Sequence, residues 1–277
     1  EILRTEGLSK FFPGVKALDN VDFSLRRGEI MALLGENGAG KSTLIKALTG
    51  VYHADRGTIW LEGQAISPKN TAHAQQLGIG TVYQEVNLLP NMSVADNLFI
   101  GREPKRFGLL RRKEIEKRAT ELMASYGFSL DVREPLNRFS VAMQQIVAIC
   151  RAIDLSAKVL ILDEPGTGLD PVQTENLRTL LRERAAAGAA IVLSTHLLAE
   201  VTALCTRAAI LHHGVLKVHV AHVLAHIVPR GLRALAKVAV RMVYVPQRRD
   251  VGRIYIVQQP AQFVGLRPYA VGLHQQR

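Results

Sequence analysis

The stretch GENGAGKS, Gly35 to Ser42, determines the fold class of this chain of 277 residues. It matches the pattern G-x-x-x-x-G-K-[ST] at every fixed position, with an apolar run before it and the helix-like KSTLIKALTG from Lys41 onward. Glycines let the backbone turn tightly and direct its N–H groups at phosphate oxygens, and the positive end of a helix dipole favours the same anion. The stretch therefore predicts a phosphate-binding loop between a strand and a helix.

The residues of this loop have different expected roles. We expect Lys41 to reach the β- and γ-phosphates of a nucleoside triphosphate, and the Ser42 hydroxyl to bind Mg²⁺. The other expected contacts come from the loop backbone and the first helical turn, at Gly35, Glu36, Asn37, Gly38, Ala39, Gly40 and Thr43.

A second motif, VLILDEP, is a continuous apolar strand that ends in two carboxylates, Asp163 and Glu164. Hydrolysis of a bound triphosphate requires a further metal ligand and a group that activates water. We expect Asp163 to hold Mg²⁺, directly or through water, and Glu164 to act as general base or to orient the attacking water. An isolated Asp-Glu pair would more often be a solvated strand end, and the phosphate-binding loop is what favours the catalytic interpretation.

Strand-like and helix-like stretches alternate along most of the chain. Runs such as KVLILDEP and AAIVLSTH are typical of buried parallel strands, and they alternate with helix-like stretches such as QTENLRTLLRERAAAG. The alternation predicts an α/β fold with a mainly parallel sheet flanked by helices. RAAILHHG is expected to be the last strand, and the pattern becomes irregular beyond about residue 217.

The phosphate-binding loop, the LDEP strand end and the spacing between them resemble those of the ATP-binding cassette (ABC) ATPases. The resemblance implies a P-loop NTPase domain over residues 1–216, with an antiparallel β region and a helical subdomain at about residues 88–157. It also implies that the ligands are ATP and Mg²⁺, and that the chain is an ATPase whose hydrolysis is coupled to transport.

Four further residues match motifs of this family one by one. Phe12, in FFPGV, corresponds to the aromatic residue that stacks on adenine, and the alternative is a core residue. Gln84, in VYQE, corresponds to the catalytic-site glutamine whose loop senses Mg²⁺ and touches the membrane subunit. Asp170, in GTGLD, belongs to the loop that crosses the dimer interface, and His196, in LSTH, corresponds to the histidine that contacts the γ-phosphate.

The family signature, usually LSGGQ, is altered here to Phe139-Ser-Val-Ala-Met143. The resemblance implies that Ser140 caps the ATP held by a partner subunit. Val141 and Ala142 replace the two glycines and would limit how closely the backbone approaches phosphate, so a weaker or asymmetric site is expected. The alternative is that Ser140 is only a helix N-cap.

Two parts of the chain resemble two different branches of the family. Residues 1–165 resemble the ATPases of bacterial sugar importers, in stretches such as FPGVKALDNV and TVYQEVNLLPNMSVADNLFIGRE. Residues 166–215 resemble exporter-type cassettes of ABC-2 or multidrug systems. The expected function is the ATP-binding subunit of a transporter, with a sugar as the expected solute. The alternatives are an exporter-type ATPase, or a chimeric or truncated cassette that binds nucleotide without productive transport.

The expected partners are transmembrane permease subunits, a second ABC subunit and, through the complex, a periplasmic solute-binding protein. The resemblance implies that the chain lies peripherally on the cytoplasmic face of the inner membrane. No membrane-spanning helix is expected, since the sequence has no run of 18 apolar residues. Its two cysteines are too few for a disulfide framework and are expected to be buried thiols.

Residues 217–277 are expected to be a basic tail of uncertain structure. They hold ten of the 35 Lys and Arg residues but only one of the 24 acidic residues. Four basic residues have helical spacing: Arg230, Arg233, Lys237 and Arg241. They would form either an ordinary solvated face or a basic face suited to an anionic membrane surface. The charge is also the only support for a nucleic-acid-associated cassette, and nucleic acid is not an expected partner.

Overall fold

The computed structural model describes residues 1–83, 88–106, 109–155, 157–166, 168–221, 241–245 and 253–257. Residues 1–223 form one compact unit and residues 224–277 form another. In chain order the elements are β1 (Leu3–Phe12), β2 (Val15–Val21), β3 (Ser24–Leu25), β4 (Ile30–Leu34), α1 (Lys41–Leu48), β5 (Arg56–Leu61), β6 (Gln64–Ile66), α2 (Thr71–Leu77), β7 (Ile79–Val82), α3 (Val94–Phe99), β8 (Lys105–Arg106), β9 (Leu109–Leu110), α4 (Arg112–Ser125), a 3₁₀ turn (Leu136–Arg138), α5 (Val141–Asp154), β10 (Val159–Asp163), α6 (Pro171–Ala186), β11 (Ala190–Ser194), α7 (Leu198–Leu204), β12 (Arg207–His212), β13 (Val215–Ala221), β14 (Arg241–Val245) and β15 (Arg253–Val257).

The predicted parallel sheet is present, with the strand order β13-β12-β4-β11-β10-β7. All pairs in it are parallel except β12 with β13. The sequences of β4, β10 and β11 are nearly continuous apolar runs, and almost every residue in them is buried. That pattern is what a strand covered on both faces requires.

The predicted antiparallel region is a second sheet near the N-terminus. Its strand order is β2-β1-β5-β6, and β3 pairs with β1 as well. Apolar residues of this sheet, including Leu3 and Leu18, join one buried cluster with Leu44 and Leu48 of α1 and with Ile161 of the central sheet. This shared core fixes α1, and therefore the loop before it, against both sheets.

Two expectations about the later part of the chain were wrong. RAAILHHG is not the last strand, because β13 follows it in an antiparallel hairpin and extends the sheet across the expected boundary at residue 216. Arg241 begins β14, which pairs antiparallel with β15, so it does not continue a helix. Arg230, Arg233 and Lys237 lie outside the described residues.

None of the helices in the described part of the chain has the length and apolar character needed to span a bilayer. Both cysteines are free and buried, as expected. Burial raises the pKa of the Cys205 thiol to about 12, and the nearby charge of Glu200 acts in the same direction.

A fully buried asparagine holds the segment before α3. The Asn97 side-chain amide donates to the carbonyl oxygens of Leu89, Met92 and Ser93, at 2.9, 3.3 and 3.0 Å, and its Oδ1 accepts from the Leu89 N–H at 2.7 Å. Leu89 itself is 46% exposed. The network therefore presents an apolar side chain on a segment that has no regular structure of its own.

We expect Asn97→Ala to lower the free energy of unfolding by about 3 kcal/mol, because it leaves buried backbone groups without partners. Asn137→Ala is the matched control: Asn137 is exposed and bonds only weakly to Asn91, at 3.3 Å. It should change stability by less than about 0.5 kcal/mol. Equal urea midpoints for the two variants would contradict the structural role of Asn97.

Candidate nucleotide-binding site

The candidate site lies at one edge of the central sheet, where three neighbouring parallel strands end. The phosphate-binding loop follows β4, and His196 follows β11. Asp163 is the last residue of β10, and Glu164 follows it. Because parallel strands point the same way, their carboxyl ends meet at one edge, where open α/β sheets bind ligands. Topology thus brings together groups that are far apart in sequence.

Two glycines of the loop are required by close backbone approaches. A Cβ on Gly35 would lie 2.5 Å from the Leu211 carbonyl oxygen, and one on Gly40 would lie 2.6 Å from that of Ala17. Gly40, at φ 107°, also has a left-handed backbone conformation and stands directly before α1. Any larger residue at either position would push the loop away from its supports.

The ammonium group of Lys41 reaches back across this loop. Its Nζ donates to the carbonyl oxygens of Gly35 and Glu36, at 2.7 and 3.1 Å. Both acceptors are neutral, so the positive charge is available to an anion at the same place. Together with the N-terminus of α1, which Ser42 and Thr43 occupy, this arrangement fits the polyphosphate of a nucleotide.

A cavity of about 380 Å³ opens over the loop. This volume is within the range of small-molecule sites. Most of the residues expected to bind the phosphates line this cavity. Four lining residues were not singled out from the sequence, and two of these, Lys16 and His213, are polar. The lining residues are Val15, Lys16, Ala17, Asn37, Gly38, Ala39, Gly40, Lys41, Ser42, Thr43 and His213.

His213 enters the cavity wall because a hairpin turn packs against the loop. His213 and Gly214 have φ values of 46° and 75°, and they connect the paired residues His212 and Val215. The Gly214 N–H donates to the Ala39 carbonyl oxygen at 2.9 Å. The only sequence signal was the glycine in HHG, which is typical of two-residue hairpin turns.

The two residues expected to act on water are in contact with each other. His196 Nδ1 and Glu164 Oε1 lie 2.9 Å apart, and their side chains are 62% and 23% exposed. Glu164 has φ 52°, which is uncommon for a residue with a side chain, and its N–H donates to the Ser194 carbonyl oxygen at 2.8 Å. The neighbouring strand thus holds Glu164 in a conformation that aims its carboxylate at His196.

Asp163 lies at the last residue of β10, opposite Ser194 of β11. Its charge also acts on Tyr83: burial raises the pKa of this phenol most, and Asp163 raises it further, while a 2.6 Å hydrogen bond with Thr49 opposes the shift. Asp163 is therefore close to the segment that leads into Gln84. Gln84 itself lies outside the described residues.

Phe12 is not a core residue, which removes the alternative interpretation. It is 37% exposed at the end of β1, and its ring meets that of Tyr52 edge-on at 5.3 Å. It pairs in the sheet with Val15, which lines the cavity. Its ring is thus accessible beside the site, as an adenine-stacking residue requires.

Ser140 and Asp170 both begin helices. Ser140 Oγ accepts from the Met143 N–H at 3.2 Å and caps α5, and Asp170 accepts from the Gln173 N–H at 2.8 Å in a capping box on α6. Within the described part of the chain, neither residue lines the cavity over the phosphate-binding loop. Ser140 is therefore the N-cap of α5, and it could contact a nucleotide only if that nucleotide were bound by a second molecule.

Comparison with known proteins identifies the class. The family model described as ABC transporter matches residues 18–167. The chain belongs to the ATP-binding cassette family of ABC transporters. A solved ATP-binding cassette of an ABC transporter in its ADP conformation is 27% identical and has a TM-score of 0.70 over 84% of this chain and 97% of that one. The predicted cassette fold is thereby confirmed.

The most informative curated relatives are proteins of sugar transport. The galactofuranose transporter ATP-binding protein of Escherichia coli (strain K12) is 83% identical over 214 residues, which are 77% of this chain and 43% of that protein. A ribose import ATP-binding protein of Streptomyces avermitilis is 46% identical over 214 residues, 77% of this chain and 41% of its own. The chain thus spans less than half the length of these relatives.

These relatives confirm the resemblance to sugar importers. The aligned 214 residues extend beyond the 165 for which that resemblance was expected. The expected resemblance of residues 166–215 to exporter-type cassettes receives no support from them.

Proposed function

We propose that this chain is an ATP-binding, ATP-hydrolysing cassette of a sugar importer, most similar in its chemistry to the galactofuranose system. The observation that carries the proposal is the contact between Glu164 and His196 at the sheet edge that also holds the phosphate-binding loop. The 83% identity to a galactofuranose transporter ATP-binding protein supports the solute class. Neither the chimeric nor the exporter-type alternative is favoured by a feature of the site.

In the proposed mechanism, the loop from Gly35 to Thr43 binds the ATP phosphates through backbone N–H groups and Lys41. Ser42 and Asp163 would hold Mg²⁺, which neutralises charge on the phosphate oxygens when bound. Glu164 accepts a proton from the attacking water, and His196 positions the Glu164 carboxylate and contacts the γ-phosphate. Catalysis is then mainly positioning and charge neutralisation.

A second cassette would complete the enclosure of each nucleotide. Ser140 is exposed at the N-terminus of α5, and Val141 beside it is 67% exposed. The helix N-terminus favours an anion, so Ser140 could cap ATP bound by a partner while the bulk of Val141 weakens that contact. Asp170 would cross the same interface.

The proposed docking surface for a permease includes the segment after Gln84. In this segment Leu89 is exposed, and its backbone is held by the hydrogen bonds of Asn97. Gln84, a proposed site residue, lies five positions before Leu89 in the sequence. A permease and, through it, a solute-binding protein are the partners we propose, with the cassette peripheral on the cytoplasmic face of the membrane.

The proposal predicts that ATPase activity per molecule rises with protein concentration, because two molecules form each complete site. Ser140→Ala should lower activity at saturating protein about 10-fold, since a hydrogen bond to a charged group contributes about 1.5–3 kcal/mol. Ser93→Ala is the control: Ser93 caps α3 in the same way, at 3.0 Å from the Asp96 N–H, and has no proposed contact with nucleotide. If ATPase activity per molecule did not depend on protein concentration and was equal in both variants, a site formed by two molecules would be ruled out.

A further inference from the structure

Glu200, a buried carboxylate, has no role in the mechanism above. It is 7% exposed on α7, and its Oε2 accepts a hydrogen bond from Thr195 Oγ1 at 2.6 Å. Thr195 is 2% exposed. A buried carboxylate is costly unless it is hydrogen-bonded, so this contact constrains both side chains.

Hydrogen bonds of Thr195 and of the Glu200 backbone hold the chain on both sides of His196. The Leu197 N–H donates to Thr195 Oγ1 at 3.1 Å, and the Glu200 N–H donates to the Leu197 carbonyl oxygen at 3.0 Å. The His196 ring is itself mostly exposed and contacts Glu164. The direction of the ring therefore depends on the backbone that Thr195, Leu197 and Glu200 fix.

The other carboxylate oxygen of Glu200 lies where residue 166 lacks a side chain. A Cβ on Gly166 would lie only 1.7 Å from Oε1. The φ of Gly166 is outside the left-handed region, so the requirement for glycine here is steric. The Gly166 carbonyl oxygen also accepts from the Leu169 N–H at 3.4 Å, in the turn that leads to Asp170.

We infer that Glu200 is a positioning residue, which transmits the position of Gly166 through Thr195 to His196. The inference rests on the proposed function, because it assigns a consequence to contact between Asp170 and a second cassette. A shift of the loop at Gly166 presses directly on the Glu200 carboxylate, and the hydrogen bond to Thr195 carries the shift to the residue before His196. The loop at the subunit interface would thereby control the γ-phosphate contact of its own subunit.

A double-mutant cycle on the full chain tests this inference. We expect Glu200→Ala and Gly166→Ala each to lower kcat about 10-fold, with KM for ATP and the affinity for ADP within twofold of wild type. The kcat of the double variant should also be about 10-fold lower than that of wild type, because the methyl group at position 166 no longer meets a carboxylate. Independent sites would instead lower kcat roughly 100-fold. Thr202→Ala, an exposed change on the same helix, should leave kcat unaltered.

A second pair of variants keeps the test independent of how well Gly166→Ala folds. Thr195→Ser retains the hydroxyl and should retain kcat, whereas Thr195→Val removes it and should behave as Glu200→Ala does. In the nucleotide-free protein, the imidazole NMR signal of His196, assigned by its loss in His196→Asn, should shift in Thr195→Val and Glu200→Ala but not in Thr195→Ser.

The inference would be overturned if the losses of kcat in the cycle were additive. It would also be overturned if Thr195→Ser and Thr195→Val had equal kcat and equal His196 signals. In either case, turnover by the wild-type chain would still support the proposed function. A wild-type chain that binds ATP but never hydrolyses it would overturn the proposed function instead, and the His196 signals would then decide the positioning role alone.

Discussion

Replacing Glu164 by glutamine is expected to lower ATP turnover about 10²- to 10⁴-fold, which is the range that a positioned general base contributes. The amide has nearly the same shape but cannot accept the proton of the attacking water. Its Oε1 can still contact His196, which lies 2.9 Å away in the native chain. Affinity for ATP should therefore stay within about threefold, by calorimetry, because glutamine removes no phosphate ligand.

Glu175→Gln serves as the control for this change. Glu175 is exposed on α6 and pairs with Arg178 and Arg182, so its loss alters charge without touching the site. It should retain full turnover. Turnover in Glu164→Gln within twofold of wild type would remove Glu164 from the mechanism and leave His196 only its proposed contact with the γ-phosphate.

Lys41→Ala is expected to weaken binding of ATP and ADP roughly 100-fold, because charge-assisted hydrogen bonds contribute about 1.5–3 kcal/mol. Lys41 bonds to two loop carbonyl groups, which water can satisfy when the lysine is removed. We therefore expect a large loss of affinity with a change in unfolding free energy below about 1 kcal/mol.

The matched control for Lys41 lies on the same helix. Lys46 is in the last turn of α1, with its ammonium group 5.4 Å from the centre of the Tyr52 ring, and it does not line the cavity among the described residues. Lys46→Ala should bind nucleotide as wild type does. If both variants bound ADP equally well, the phosphate site would have to lie elsewhere and the proposed function would fall.

Local sequence patterns predicted those parts of the fold in which one segment determines its own structure. Strand β10 was predicted because a short, continuous apolar run that ends in polar residues is typical of a strand buried in a parallel sheet. The phosphate-binding loop was predicted because its glycines have no other use at that spacing. The residue roles carried over from the family remain predictions, and Gln84 lies outside the described residues.

The features that sequence did not predict depend on contacts between distant segments. His213 gave only a turn signal, and its place in the cavity wall follows from the hydrogen bond between Gly214 and Ala39. Gly166 begins the GTGLD stretch, in which the sequence singled out only Asp170, and its steric role is apparent only from the Glu200 carboxylate beside it. Strand β13 was missed because the sequence pattern becomes irregular beyond about residue 217, although pairing with β12 stabilises the strand.

The order of the central strands also has a consequence for synthesis of the protein on the ribosome. Strand β4, which carries the phosphate-binding loop, lies between β11 and β12, and the Thr206 N–H bonds to the Ile30 carbonyl oxygen across 176 positions of sequence. The ribosome adds about 5–20 residues per second, so both neighbours of β4 are complete only on the order of 10–30 seconds after β4 itself has been translated. During that interval its apolar edges are open to other nascent chains, and nucleotide cannot yet assist folding, so chaperone demand should peak before residue 206 emerges.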